Sequence, residues 1–246
     1  MNKVKVVDLG FRPYRDTWDL QKKIQKGQID IKIAARTGKL YKPGQGDTLL
    51  FVEHPHVYTL GKSGDSAHLL KAVEELPGID AEYIEIDRGG DITYHGPGQI
   101  VGYPILDLDR YFTDIHKYLR YLEEVIILTC REYGLEASRI DGLTGVWVEN
   151  KKICAMGIKC SRWVTMHGFA FNINTDLSYF NYIIPCGIQN KAVTSLSKLL
   201  GRKIEESEVK KYIVRHFSEV FSVKTEEGVI YSEEGGQNSY LHLLNE

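Results

Sequence analysis

The chain has 246 residues, and its 31 Lys and Arg against 33 Asp and Glu give a net charge of -2 with neutral histidines. An apolar share of 43% with 26% charged residues belongs to folded domains and excludes disordered and fibrous classes. The charge implies no basic surface for nucleic acid, and no apolar run is long enough to cross a bilayer.

Lys3 to Leu9 alternates and suits a first strand. Tyr14 to Lys26 carries Trp18, Leu20 and Ile24 among polar residues and reads as a helix capped by Asp16, resuming through Ile31 to Arg36. Thr48 to Glu53 is a buried strand, and His54-Pro55-His56 to Gly61 leaves it. Ala67 to Leu76 reads as a short helix, and Tyr83 to Asp87 as a strand. A glycine-rich stretch, Arg88 to Gln99, leads into a strand over Ile100 to Leu106. Thr113 or Asp114 caps the clearest helix, which runs to about Tyr133 with Gly134 at its end. Thr144 to Glu149, Lys152 to Cys160 and Trp163 to Asn172 form an antiparallel meander with Asn150-Lys151 as its first turn. Thr175 to Ile184 is mixed, and Pro185-Cys186-Gly187 is a turn. Glu205 to Phe221 is a second amphipathic helix, and Val229 to Tyr231 a short strand in a polar tail. Interleaved helices and strands without repeats predict one α/β (α+β) domain over 1–246, a mixed sheet flanked by helices.

The glycine-rich stretch holds Arg88, Gly89, Gly90, Asp91, Ile92, Thr93, Tyr94 and His95. Polar side chains among glycines suit a wall that holds a ligand. It is neither a Walker loop nor a dinucleotide loop. Of four cysteines, none spaced as CxxC, Cys186 stands apart because its turn lets a substrate approach from one side. A thiolate nucleophile needs a neighbouring Lys, Arg or His to depress its pKa. Lys152 heads the apolar segment Ile153 to Ile158; spacing alone does not choose between a surface lysine and a desolvated base. His95 and His167 each precede a glycine, and Gly168-Phe169-Ala170 offers backbone amides. No spacing supports a metal site. The N-terminus lacks a signal peptide's apolar core, so a cytoplasmic location is expected.

Arg88-Gly-Gly-Asp-Ile-Thr-Tyr-His-Gly-Pro-Gly-Gln99 closely resembles the signature of the octanoyltransferases of lipoate biosynthesis. Glu53-His54-Pro55 with Tyr58 to Gly61, Lys152 to Gly157, His167 to Asn172, and Ile184 to Ile188 with Val193 to Leu196 agree in order, over roughly residues 14 to 200. The resemblance implies the fold of biotin and lipoate protein ligases. It implies transfer of octanoyl from octanoyl-acyl carrier protein to a lysine of apo-lipoyl domains. Those acceptors are the E2 subunits of 2-oxoacid dehydrogenases and the glycine cleavage H protein. It matches Cys186 to the acyl-thioester nucleophile and Lys152 to the residue that lowers its pKa. Arg88 to His95, Ala155-Met156-Gly157 and Gly168-Phe169-Ala170 match the substrate-binding segments. No cofactor and no metal are implied. His95 either orients the thioester or contributes a proton. The alternatives are an ATP-dependent lipoate-protein ligase on the same fold and a non-catalytic lipoyl-domain-binding protein.

Overall fold

The computed structural model describes residues 1–37, 46–184 and 192–228. Strand β1 (Asn2–Phe11) is followed by helix α1 (Tyr14–Arg36), then β2 (Thr48–Glu53) and β3 (Val57–Leu60). Next come β4 (Glu82–Glu85), β5 (Thr93–His95), β6 (Gln99–Ile105) and helix α2 (Ile115–Arg131). Strands β7 (Val146–Val148), β8 (Lys151–Ser161) and β9 (Val164–Asn172) precede α3 (Leu196–Leu200), α4 (Glu206–Phe221) and β10 (Val223–Glu227).

Among the described residues the strands form two sheets. The larger runs β10-β1-β2-β6-β9-β8-β7, and the smaller runs β4-β3-β5. In the large sheet β1 pairs parallel to β2 and to β10, and the remaining pairs are antiparallel. This is the mixed sheet that the interleaved pattern predicts. Its two faces bury separate cores, as the period of two requires. Leu49 and Phe51 of β2 join α2 and α4, whereas Leu50 and Val52 face Ile24 of α1. Helix α2 lays Tyr118, Leu122, Val125 and Ile126, all fully buried, on the first face. Each such side chain contributes roughly 1.5–3 kcal/mol of burial.

Several local expectations change. Helix α1 is one continuous element of 23 residues, not two segments. Its second half is anchored by glutamines that the periodicity reads as polar: Gln25 Nε2 donates to Val164 O at 2.9 Å and Gln28 Nε2 to Ile105 O at 3.1 Å. It starts after Pro13, whose fixed φ suits a helix entry, and Asp16 lies in the first turn rather than at the cap. Ala67 to Leu76 is not an α-helix. It holds two 3-10 turns, Ser66–His68 and Val73–Ile79, the second interrupted by Pro77. The β7–β8 turn is Glu149-Asn150, one residue earlier than expected, with φ +50° and +62°, the signs of a primed hairpin turn. The Asp114 cap is as expected, its carboxylate accepting from Lys117 N at 2.9 Å. The sequence pattern does not predict strand β10, because Val223–Glu227 is mostly polar; parallel pairing to β1 at the sheet edge decides it. The strand expected at 229–231 lies outside the described residues.

The small sheet positions the site. Strand β5 lies inside the glycine-rich stretch and pairs with β3, and four residues later the chain enters β6 of the large sheet. The corner between them uses Gly98 at φ +79°, where an added Cβ would stand 2.6 Å from the Asn174 carbonyl carbon. The stretch therefore bridges the two sheets.

Candidate active site

A cavity of about 490 Å³ opens between the sheets, within the range of small-molecule sites. Ile92, Leu143, Met156, Phe169 and Phe180 are among its apolar walls. Arg88 shapes one side. The residue is 8% exposed. Its Nη1 donates to Gly89 O at 2.9 Å, and its Nη2 donates to Asp91 O at 2.8 Å and Thr59 O at 3.2 Å. The guanidinium thus closes the loop on itself and fastens it to β3. Gly89 N donates to Ile158 O at 3.0 Å, so the loop also rests on β8. Only glycine fits at 157 beneath it: a Cβ there would meet Arg88 Cδ at 2.7 Å and Gly89 O at 2.8 Å.

Strands β8 and β9 supply the opposite wall. Ala155 pairs with Ala170 and Gly157 with Gly168, so the two small-residue segments lie side by side. Lys152 lines the same cavity from the start of β8. Its ammonium sits 4.7 Å from the centre of the Trp147 ring, a cation–π contact. Lys152 N donates to Ala192 O at 2.9 Å, and its carbonyl accepts from Thr194 N at 2.9 Å. The chain just after residue 191 is thereby tied to the lysine's backbone. Ahead of residue 185, Ile184 N donates to His68 O at 2.9 Å.

Three histidines surround the inner part of the site. His54 Nδ1 donates to Arg12 O at 2.7 Å, which leaves Nε2 to accept from the Tyr103 hydroxyl at 2.9 Å. Burial pushes the His54 imidazole down to about 4. His95 Nδ1 lies 2.8 Å from Gln99 Oε1 and stacks on Tyr14, with ring centroids 5.6 Å apart. Burial holds it well below its ordinary value, with His54, Arg88 and His167 adding to the effect. His167 has φ +63°, a sparsely populated angle for a non-glycine, and its backbone N donates to Gln21 Oε1 at 2.9 Å. Its Nε2 donates to Asp87 Oδ1 at 2.9 Å, and Lys159 Nζ lies 2.5 Å from Asp87 Oδ2. Burial alone would raise the Asp87 carboxyl, but His167 and Lys159 outweigh it and hold the group well below the usual carboxylate range.

Residues 15–218 match the family model described as the lipoyl protein ligase A/B catalytic domain. The chain belongs to that family. It is 57% identical over 231 residues to an octanoyltransferase of Christiangramia forsetii, covering 91% of this chain and 98% of that protein. Against an octanoyltransferase of Flavobacterium johnsoniae it is 56% identical, with 90% and 98% covered. Among solved structures it resembles a putative lipoate protein ligase from T. acidophilum with bound lipoic acid, at TM-score 0.69 and 16% identity, covering 95% and 92% of the two chains. It also resembles a lipoate-protein ligase A bound with ATP, at TM-score 0.69 and 16% identity, with 95% and 91% covered. These two likenesses establish the fold. The family fold expected from the motifs is therefore the one observed.

Within this lipoyl protein ligase A/B domain, the structure brings most of the expected site residues to one cavity. Arg88, Gly89, Gly90, Asp91, Ile92, Thr93 and His95 line it, as do Lys152, Ala155, Met156 and Gly157, and Gly168, Phe169 and Ala170. Tyr94 does not. On β5 it alternates away from its neighbours, is fully buried, and hydrogen-bonds His56 Nδ1 through its hydroxyl at 2.7 Å while stacking on Tyr179. Arg88 directs its hydrogen bonds described above to the protein's own carbonyls. Cys186 lies outside the described residues. Sequence reasoning missed Tyr14, Tyr103 and Asp87 as parts of the site. Asp87 carried one signal, standing directly before the glycine-rich stretch; the tyrosines carried none, because strand and helix packing alone brings them there. No described helix is long and apolar enough to cross a membrane. Among the described residues no cluster of three or more His, Cys, Asp or Glu is placed to hold a metal.

Proposed function

We propose that this chain transfers an octanoyl group from octanoyl-acyl carrier protein to a lysine of apo-lipoyl domains, through an acyl-thioester on Cys186. The observation that carries the reading is one apolar cavity lined by Lys152 and by the three segments that the resemblance matches to substrate binding. The octanoyltransferase relatives, alike over nine-tenths of the chain, support the acyl group and the reaction class.

The chemistry needs two transfers. In the first, the Cys186 thiolate attacks the donor thioester: a C–S bond forms to Cys186 and the C–S bond to the carrier breaks. Lys152 in its charged form lowers the thiol's pKa and protonates the departing carrier thiolate. In the second, the acceptor amine attacks the enzyme thioester; a C–N bond forms and the C–S bond to Cys186 breaks. The now neutral Lys152 takes the amine's proton, which restores ammonium beside thiolate. Exchange of one thioester for another is close to thermoneutral, so ATP is not required. The chain's methylenes contribute about 0.8 kcal/mol each on entering an apolar cavity. The whole chain, 1–246, works as one catalytic domain in the cytoplasm, with dehydrogenase E2 lipoyl domains and the glycine cleavage H protein as acceptors.

The test is intact mass after incubation with octanoyl-acyl carrier protein. The wild type gains one octanoyl group, Cys186→Ala gains none, and ATP changes neither result. Lys152→Ala raises the pH at which Cys186 alkylates. Undiminished transfer to a lipoyl domain by Cys186→Ala overturns the covalent route; transfer that requires ATP would establish a ligase instead.

A further inference from the structure

A chain of side-chain amides runs from the Lys152 strand to His95, and its direction is fixed. Asn172 Nδ2 donates to Thr194 O at 3.0 Å, so Asn172 Oδ1 must be the atom that faces Gln99. Gln99 Nε2 donates to that oxygen at 2.9 Å and to Tyr94 O at 3.2 Å. Gln99 Oε1 is then the atom that faces His95 Nδ1, and an amide oxygen only accepts. Each amide could be turned over only by opposing two acceptors across a buried contact. Thr194 N in turn donates to Lys152 O, so the chain begins on the backbone of the lysine.

Two consequences follow for His95. Its proton sits on Nδ1, and in the neutral imidazole Nε2 carries the lone pair. No described residue hydrogen-bonds Nε2, and His95 lines the cavity. The groups facing the ring do not favour a second proton: Tyr14 comes from α1, His54 from the end of β2, Arg88 from the glycine-rich loop and His167 from β9. Tyr14 stacks on the ring and the other three are cationic or become so on protonation.

A neutral acceptor nitrogen cannot hydrogen-bond the carbonyl oxygen of a thioester, which has no proton to give. It can receive an N–H. We propose that His95 Nε2 accepts a hydrogen bond from the acceptor lysine's amine and so orients that amine. Gln99 and Asn172 are the positioning residues that hold His95 in this tautomer. The inference rests on the octanoyl-transfer reading and adds the second-substrate site to it. An amine nitrogen has two protons to place once it is neutral. One is held by His95; the other passes to Lys152 as the C–N bond forms and the C–S bond breaks. Of the two roles left open for His95, proton donor and orienting group, this geometry selects orientation, and of the amine rather than the thioester.

The test separates the two half-reactions by rapid-quench intact mass, first with octanoyl-acyl carrier protein alone and then on adding a lipoyl domain. His95→Phe, which keeps a ring against Tyr14 but no acceptor, slows the second step about ten- to hundredfold more than the first. Gln99→Glu puts a carboxylate on Nδ1–H and favours imidazolium, so the pH below which amine transfer fails moves upward by about one unit while that of thioester formation stays. Equal slowing of both steps, or an unmoved pH profile in Gln99→Glu, overturns the assignment. If Gln99→Glu does not fold, the step ratio in His95→Phe decides alone. A wild type that never acquires the octanoyl mass refutes the parent reading instead, so the two failures are distinct.

Discussion

Replacing Gly157 by alanine tests the contact on which the cavity wall depends. The added Cβ would stand 2.7 Å from Arg88 Cδ, 2.8 Å from Gly89 O and 2.9 Å from Arg88 Cγ. A flexible side-chain end could yield, but Gly89 O is backbone and accepts from Arg88 Nη1 at 2.9 Å. Its residue's N is also pinned to Ile158 O at 3.0 Å. Relief therefore lifts the whole loop off β8. Overpacking costs about 1–3 kcal/mol, and one hydrogen bond strained with it adds roughly 1 kcal/mol. At about 2–4 °C per kcal/mol for a domain of this size, Tm falls by roughly 5–15 °C. Gly27→Ala is the matched control. It lies within α1, where nothing comes within 4 Å of an added Cβ. Gly to Ala in a helix interior contributes about 0.5–1 kcal/mol, a rise of roughly 1–4 °C. Thermal unfolding followed by circular dichroism reads both. If Gly157→Ala melts with the wild type while Gly27→Ala rises, the loop does not rest on β8 as described.

Other expectations concern charge and turn geometry. Asp87→Asn removes the carboxylate shared by His167 and Lys159 and destabilises the fold by about 1–3 kcal/mol at neutral pH. Because the folded carboxyl titrates below its unfolded value of about 3.9, that difference is full above about pH 4 and fades in more acid solution. Urea unfolding at pH 7 and pH 3 should show it, and an equal penalty at both would refute the ionic origin. His54, held near 4 against about 6.5 unfolded, stabilises above pH 6.5 and loses up to about 3 kcal/mol as the pH falls toward 4. His54→Gln should flatten the stability curve over that window by close to one proton; an unaltered slope rejects the assignment. Glu149→Asn with Asn150→Gly suits the positive φ values of the β7–β8 turn and should raise Tm by a few degrees; no rise would mean the turn is not of the primed type.

The sequence alone determined the long helices and most strands of the large sheet, the mixed-sheet class and most of the cavity lining. It did so because glycines, caps and alternation are local signals, and because Arg88 to Gln99, Lys152 to Gly157 and His167 to Asn172 each sit within a few residues of chain. Tertiary structure decided what local signals do not carry. Tyr94 shares the signature yet faces the aromatic core of the small sheet, since β5 alternates and only its neighbours reach the cavity. Arg88 stands in the signature, and only three-dimensional closure brings its Nη1 and Nη2 to the carbonyls of Gly89, Thr59 and Asp91. The second half of α1 and the edge strand β10 exist through partners far along the chain, Val164 and Ile105 for the one and β1 for the other. The tautomer of His95 is set by residues 4, 77 and 99 positions away, through amides whose orientation only the closed network fixes.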